Sequence, residues 1–253
     1  MTIATSDSGG GAGIQADLKA FAAAGVYGAS ALVALTAQNT KEVTAVHEVP
    51  TDFIRAQLHA VFDDIGVDAA KTGMLFSRSV VDTVADFLHQ RRVPLVVDPV
   101  MIASSGAKLL QDDAVDTLVS RLFPLATVVT PNLSEAIELA GFDGTRSELA
   151  KRLHELGAPA VIVTGGHGDE PIDHLFADGR HVEIRVDRHD VPATHGAGCT
   201  HSAALTALLA KGVGLEDAAR GAAQVASEAV RNGLTEIGAG EGPVDVLNLS
   251  WSP

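Results

Sequence analysis

Apolar residues along this chain alternate between two rhythms. Short, nearly continuous apolar runs such as Pro94-Leu95-Val96-Val97 and Ala160-Val161-Ile162-Val163 read as buried strands. Between them, apolar residues recur three and four apart. Ile14, Leu18 and Phe21 form one such face and Phe53, Ile54, Leu58 and Val61-Phe62 another, the mark of amphipathic helices. The pattern predicts a strand at 2–4, a helix from 14 that stops at Gly25, strands at 30–36 and 43–49, and a helix opened by Pro50-Thr51. A strand at 67–72, a helix at 79–92, a strand at 94–97, a helix at 112–122 and a strand at 126–130 follow. Asn132 with Glu135 and Thr145 with Glu148 have the spacing of capping boxes, so each pair starts a helix. After a strand at 160–163 the rhythm becomes a hairpin, 173–177 and 180–186, turning at Asp178-Gly179. Helices at 200–211 and 216–231 close the pattern.

Repeated strand-then-helix units with continuously apolar strands imply an α/β protein with a doubly wound, mostly parallel sheet flanked by helices, the hairpin near 173–186 being its exception. At 253 residues, with no Pro/Ser-rich linker, one domain over 1–253 is the expectation. The formal net charge of −14 excludes nucleic acid and anionic membrane as partners, since either requires a basic patch. It also means that an anionic ligand must be held by backbone N–H groups or a metal more than by lysines. A single cysteine excludes an internal disulfide framework and fits a reducing compartment. The first residues lack the regions of a signal peptide and no apolar run is long enough to span a membrane, so the cytoplasm is the expected location.

Chemistry concentrates at the ends of the predicted strands. Thr194-His195-Gly196-Ala197-Gly198-Cys199-Thr200 runs into the helix at 200–211, so its N–H groups and the positive end of the dipole suit an anion such as phosphate. Cys199 at that end is expected to have a lowered pKa and could serve as base or nucleophile, the equal alternative from this stretch alone being a glycine-rich loop with a small buried cysteine. Zinc held by His195, Cys199 and His201 is the poorer reading, because no second cysteine completes a thiolate site. Gly11-Ala12-Gly13-Ile14-Gln15-Ala16 matches the dinucleotide fingerprint, but the second strand ends in Ala37-Gln38-Asn39 without the required acid. No P-loop motif occurs. Gln38 offers an amide for a heterocycle edge, although it suits a turn equally well. Asp17 reads from pattern alone as a solvated helix carboxylate. Asp98, at the end of a buried parallel strand, has no structural reason to be charged. With Asn132 and Glu135 on the same edge it could hold Mg²⁺, directly or through water. An anion hole, a metal site and one base suggest phosphoryl transfer from a nucleotide.

The stretches Ser6-Asp7-Ser8-Gly9-Gly10-Gly11-Ala12-Gly13-Ile14-Gln15-Ala16-Asp17-Leu18-Lys19, Thr36-Ala37-Gln38-Asn39-Thr40, Ala70-Lys71-Thr72-Gly73-Met74-Leu75, Val97-Asp98-Pro99-Val100-Met101, Thr130-Pro131-Asn132-Leu133-Ser134-Glu135-Ala136 and the 194–200 loop together resemble the hydroxymethylpyrimidine kinase / phosphomethylpyrimidine kinase family of thiamine biosynthesis. The resemblance implies a ribokinase-like fold, a homodimer, and two successive ATP-dependent phosphorylations of 4-amino-5-hydroxymethyl-2-methylpyrimidine. It implies that Gln38, Asp17, Ala12, Met74 and Val100 bind the pyrimidine, that Gly196, Ala197 and Gly198 form the anion hole, and that Cys199 is the base. Asn132, Glu135, Thr164 and Gly166 would meet ATP, and Asp98 and Glu135 would serve Mg²⁺. The chain departs from the family pattern at Thr5, Thr164, Pro192, His201 and Glu241, of which Thr164 removes a cation from the nucleotide site. A pyridoxine/pyridoxal kinase and a catalytically quiet metabolite-binding protein are the rival readings.

Overall fold

Nine strands form one sheet in the order β3-β2-β1-β4-β5-β6-β7-β8-β9, in a computed structural model that describes residues 1–101, 110–166 and 171–249. The strands are β1 Thr2–Asp7, β2 Ser30–Gln38, β3 Val43–Glu48, β4 Ala70–Thr72, β5 Leu95–Val97, β6 Val128–Val129, β7 Ala160–Val163, β8 Ile172–Ala177 and β9 Arg180–Arg185. The helices are α1 Gly13–Ala23, α2 Thr51–Ala60, α3 Arg78–His89, α4 Asp112–Thr117, α5 Leu133–Ala140, α6 Arg146–Glu155, α7 Ala197–Ala210 and α8 Leu215–Arg231. β2, β1, β4, β5, β6 and β7 pair in parallel, while β3 at one edge and the β8–β9 hairpin at the other run antiparallel to their neighbours. The hairpin therefore extends the sheet rather than standing apart from it. The sheet is mostly parallel and wound on both faces, as the strand and helix pattern predicts.

Parallel register decides which side chains share a face. Thr2 lies opposite Lys71, Lys71 opposite Val96 and Val96 opposite Val128, so these four point to one side. That side is covered by α1, α7 and α8, whose Ala204, Ala218, Ala219, Ala222 and Ala223 pack on Val96, Val128 and Ile162. The small residues allow close approach, and Ala20, Phe21, Ala203 and Ala207 join α1 to α7. The opposite face buries Ile3, Val33, Ala70, Val97 and Val129 under Ile54, Leu58, Val80, Val84, Leu149 and Leu153. Each Val or Leu so buried contributes about 1.5–3 kcal/mol.

Several predicted elements differ: the first strand runs on to Asp7, the strand at 67–72 shrinks to β4, and the helix opened at 50–51 is α to Ala60 and continues as a π turn over Val61–Ile65. The helix at 112–122 is α only to Thr117 and continues as a wider π turn over Leu118–Leu122. The strand at 126–130 is reduced to β6. The last glycine loop is not a loop throughout: α7 begins at Ala197, so Ala197, Gly198 and Cys199 are its first turn and Gly196 is its N-cap. The predicted glycine-containing turn at Ser104-Ser105-Gly106 lies outside the described residues.

Candidate active site

The strand order reverses at β1, which has β2 on one side and β4 on the other, and ligands of open α/β sheets bind at such switch points beyond the strand ends. Here two glycine-rich segments meet. Asp7 ends β1, and its carboxylate accepts N–H bonds from Gly9 (2.7 Å), Gly11 (3.1 Å) and Ala12 (2.9 Å), folding the 9–13 loop around itself. His195 Nε2 reaches the same carboxylate at 3.2 Å. Burial pushes Asp7 up, but His195 and the N–H groups of Ala12 and Gly9 outweigh it and hold the acid below its ordinary value. Gly196, with φ +86°, brings the start of α7 so close to the start of α1 that an added Cβ would stand 1.9 Å from Gly11 O. The cradle is thus two helix N-termini side by side.

At its rim Gly198 is exposed, with no heavy atom within 4 Å of where a Cβ would point. Cys199 follows, half-buried. Its expected acidity is overturned: burial pushes the thiol up to about 12, the Lys71 ammonium and the Gly13 N–H pull it down, and Asp17 and Asp98 push it further up. A helix N-terminus lowers a thiol pKa only where desolvation does not outweigh it.

Beneath the cradle lies an ion cluster. Lys71 is fully buried, its Nζ 2.7 Å from Asp17 Oδ1 and 3.7 Å from Asp98 Oδ2. Asp17 is therefore not a solvated helix carboxylate. It has 0% of its surface exposed, and its other oxygen accepts from Thr2 Oγ1 at 2.6 Å. Ser202 Oγ donates to Asp98 Oδ2 at 2.7 Å and also lies 3.1 Å from the carbonyl of Cys199, which ties α7 to the end of β5.

Beside the cradle is an apolar wall. Met74 and Val100 pack with Val43, Val46 and Phe76, and Gln38 pairs with Val43 across the β2–β3 ladder. Gln38 Oε1 accepts from Thr36 Oγ1 (3.1 Å), and its amide nitrogen has no partner among the described residues. Ala12 sits at the N-cap of α1. Phe76 has φ +66°, a left-handed backbone that a bulky residue adopts only where the surroundings impose it. Thr5 is absorbed: its hydroxyl donates to Met74 O at 3.1 Å.

On the far side, Asn132 and Glu135 form the complete capping box of α5, and Thr164 bridges to Asn132 beyond β7. Burial, and then the charge of Asp98, push Glu135 well above the usual carboxylate range. Gly166 is exposed, while Gly165 is the confined glycine, its N–H donating to Asp173 Oδ1 at 2.7 Å. His201 is buried with Nε2 3.1 Å from Asp173 Oδ2, so the two histidines flanking Cys199 go to different acids. No cluster of three metal-ligating side chains occurs among the described residues. Glu241 accepts from Thr194 Oγ1, and its N–H meets Thr40 O at 3.1 Å, pinning the 238–243 segment beside the cradle, where Pro243 bridges to His195. Pro192 is exposed beside it. Sequence reasoning missed Lys71, Ser202 and Phe76. A lysine inside a β4 triplet otherwise buried carries a local signal; the other two carry none.

The fold and its paired helix termini are those of the ribokinase-like α/β class, and solved structures agree with that. A crystal structure of an ADP complex of Bacillus subtilis pyridoxal kinase superposes with TM-score 0.88, at 39% identity over 96% of this chain and 95% of that one. A phosphomethylpyrimidine kinase from Clostridium difficile gives 0.78, at 38% identity over 90% and 96%. In sequence, a hydroxymethylpyrimidine/phosphomethylpyrimidine kinase of Rhizobium meliloti is 47% identical over 259 residues, covering 99% of this chain and 97% of the relative. The phosphomethylpyrimidine kinase family profile matches residues 7–245, and the chain belongs to that family.

Proposed function

We propose that this chain transfers phosphate from ATP to 4-amino-5-hydroxymethyl-2-methylpyrimidine, and then to the resulting monophosphate, as thiamine biosynthesis requires. The observation that carries this reading is that the sheet edge where α7 begins, with the one cysteine in its first turn, also holds the apolar cluster of Met74 and Val100 and the end of β2 with Gln38. Gln38 reads the amino group and ring nitrogen of the pyrimidine, and Ala12, Met74 and Val100 enclose the ring. Gly196, Ala197 and Gly198 receive the phosphoryl group on backbone N–H groups. The hydroxymethyl oxygen attacks the γ-phosphorus, its proton passes to the Cys199 thiolate, and ADP leaves. In the ligand-free chain burial keeps that thiol protonated at neutral pH, so the thiol releases its proton to solvent as substrate binds, before the transfer begins.

Asn132, Thr164 and Gly166 face the nucleotide in this reading. Asp98 and Glu135 fit Mg²⁺, since both carboxylates are buried and the charge of Asp98 helps to push Glu135 above the usual carboxylate range, a repulsion that a cation bound by one or two carboxylates and substrate phosphates would relieve. Bound there, Mg²⁺ would neutralise phosphate charge. A homodimer and a cytoplasmic location belong to the same proposal. They are supported by the resemblance and by the single cysteine, while no described helix is long and apolar enough to cross a membrane.

The test is coupled ADP release with Mg·ATP, offering the hydroxymethylpyrimidine, its monophosphate and pyridoxine separately, with Cys199→Ala beside the parent. Turnover of both pyrimidines, with the first step hit hardest by Cys199→Ala, is expected. Turnover of pyridoxine alone moves the reading to the rival that the Bacillus subtilis structure favours. No turnover leaves a metabolite-binding protein.

A further inference from the structure

A lysine with no exposed surface, on the sheet face it shares with Val96 and Val128, is not something the fold requires. An apolar side chain of similar volume serves a core as well as a buried ion pair or better, because desolvating the charges offsets their attraction. What the ammonium does achieve is visible in its partners. It joins Asp17 on α1 to Asp98 at the end of β5, and Ser202 on α7 closes the ring by donating to Asp98 while lying within hydrogen-bond reach of the Cys199 carbonyl. The two helices that build the cradle and the end of β5 are therefore joined through one cation and its carboxylates. Asp17 and Asp98 contact that cation, and its charge, like the Gly13 N–H, favours the ionised form of the Cys199 thiol at the start of α7.

We propose that Lys71 is a positioning residue for phosphoryl transfer, its ammonium holding Asp17 and Asp98 in register under the cradle and supplying the charge against which Cys199 gives up its proton. The role rests on the reading of Cys199 as base. Lys71 touches no substrate and acts through its three neighbours.

Removing the lysine alone strands two buried carboxylates, so the informative comparison is Asp17→Asn against the double variant Asp17→Asn with Lys71→Met. The first keeps the cation and removes one competitor; the second replaces the Lys71–Asp17 pair by a neutral, near-isosteric one and leaves Asp98 with the Ser202 hydroxyl as its partner. Three readouts are needed: thermal midpoint, the rate at which iodoacetamide alkylates the ligand-free protein, and kcat with KM for the first transfer. Alkylation reports Cys199 alone, since no other cysteine exists. Asp17→Asn should alkylate at least as fast as the parent. The double variant should alkylate at least about tenfold more slowly than Asp17→Asn, the thiolate fraction falling tenfold per unit and its rising nucleophilicity offsetting part of that. Its kcat should fall at least about tenfold below that of Asp17→Asn, with KM for ATP nearly unchanged, as expected when the proton acceptor is weakened. A purely structural lysine predicts the opposite sign, because loosened packing exposes the thiol and speeds alkylation. Alkylation as fast as in Asp17→Asn, or equal kcat in the two variants, overturns the proposal. If Cys199→Ala keeps parental turnover, the base reading itself fails and the role of Lys71 in transfer fails with it, whatever the alkylation ratio.

Discussion

Replacing Gly196 by alanine should separate the two helix termini, and the structure says by how much. A Cβ there would lie 1.9 Å from Gly11 O, and the contact is backbone on both sides, so no rotamer can relieve it. Holding alanine at φ +86° costs about 1–2 kcal/mol, and overpacking the contact costs about 1–3 kcal/mol more. A total near 3 kcal/mol corresponds to a fall in Tm of roughly 6–12 °C for a chain of this size. Displacing the cradle by about 1 Å is also worth roughly a hundredfold in kcat. The control is Gly198→Ala, two residues on, where φ is ordinary and the space is open. There alanine keeps or raises Tm, because it removes a helical glycine, but turnover falls because the methyl group stands on the anion-binding rim. Melting curves and ADP release on the two variants read both axes. Gly196→Ala melting with the parent and turning over normally would refute the close-packed cradle.

Other consequences follow from the same geometry. The Cys199 thiol is pushed above its ordinary 9.0 to about 12 in the folded chain, so the native state binds this proton more tightly than the unfolded one. Its contribution is complete below pH 9 and declines as pH rises from there towards 12; urea midpoints between pH 8 and 10.5 should fall in the parent and fall less steeply in Cys199→Ala. Gln38→Leu should raise KM for the pyrimidine about tenfold or more with kcat little changed, because it leaves the polar edge of the ring unpaired, and steady-state kinetics decide it. In the proposed reading Thr164 leaves the nucleotide site without a lysine, so ATP affinity should depend on Mg²⁺; calorimetric titration with and without EDTA should show a large loss in the parent and a smaller one in Thr164→Lys.

What could be read from the sequence was what is local. Both capping boxes are present with their reciprocal bonds, because the motif needs only residues three apart. The buried parallel strands were legible from their apolar runs, and the gathering of glycine-rich segments at one sheet edge from the glycines and polar residues that end those strands. Properties set by distant neighbours were not. Gly196-Ala197-Gly198 has the composition of a loop, and packing against α1 turns most of it into the first turn of α7. Asp17 carries no sign that Lys71, 54 residues away, will bury it. The Cys199 thiol follows the same logic, since a helix start predicts acidity and the tertiary environment reverses it. Phe76 in a left-handed backbone has no precursor in the pattern, because phenylalanine gives no warning of positive φ.

The most direct measurement is the identity of the product. The hydroxymethylpyrimidine is incubated with excess Mg·ATP and the purified chain, and the reaction is followed by ³¹P NMR and mass. The account predicts a monoester signal that rises first and then gives way to the paired signals of a diphosphate on the same pyrimidine. ATP left intact, or phosphate appearing only on pyridoxine offered in parallel, would contradict it.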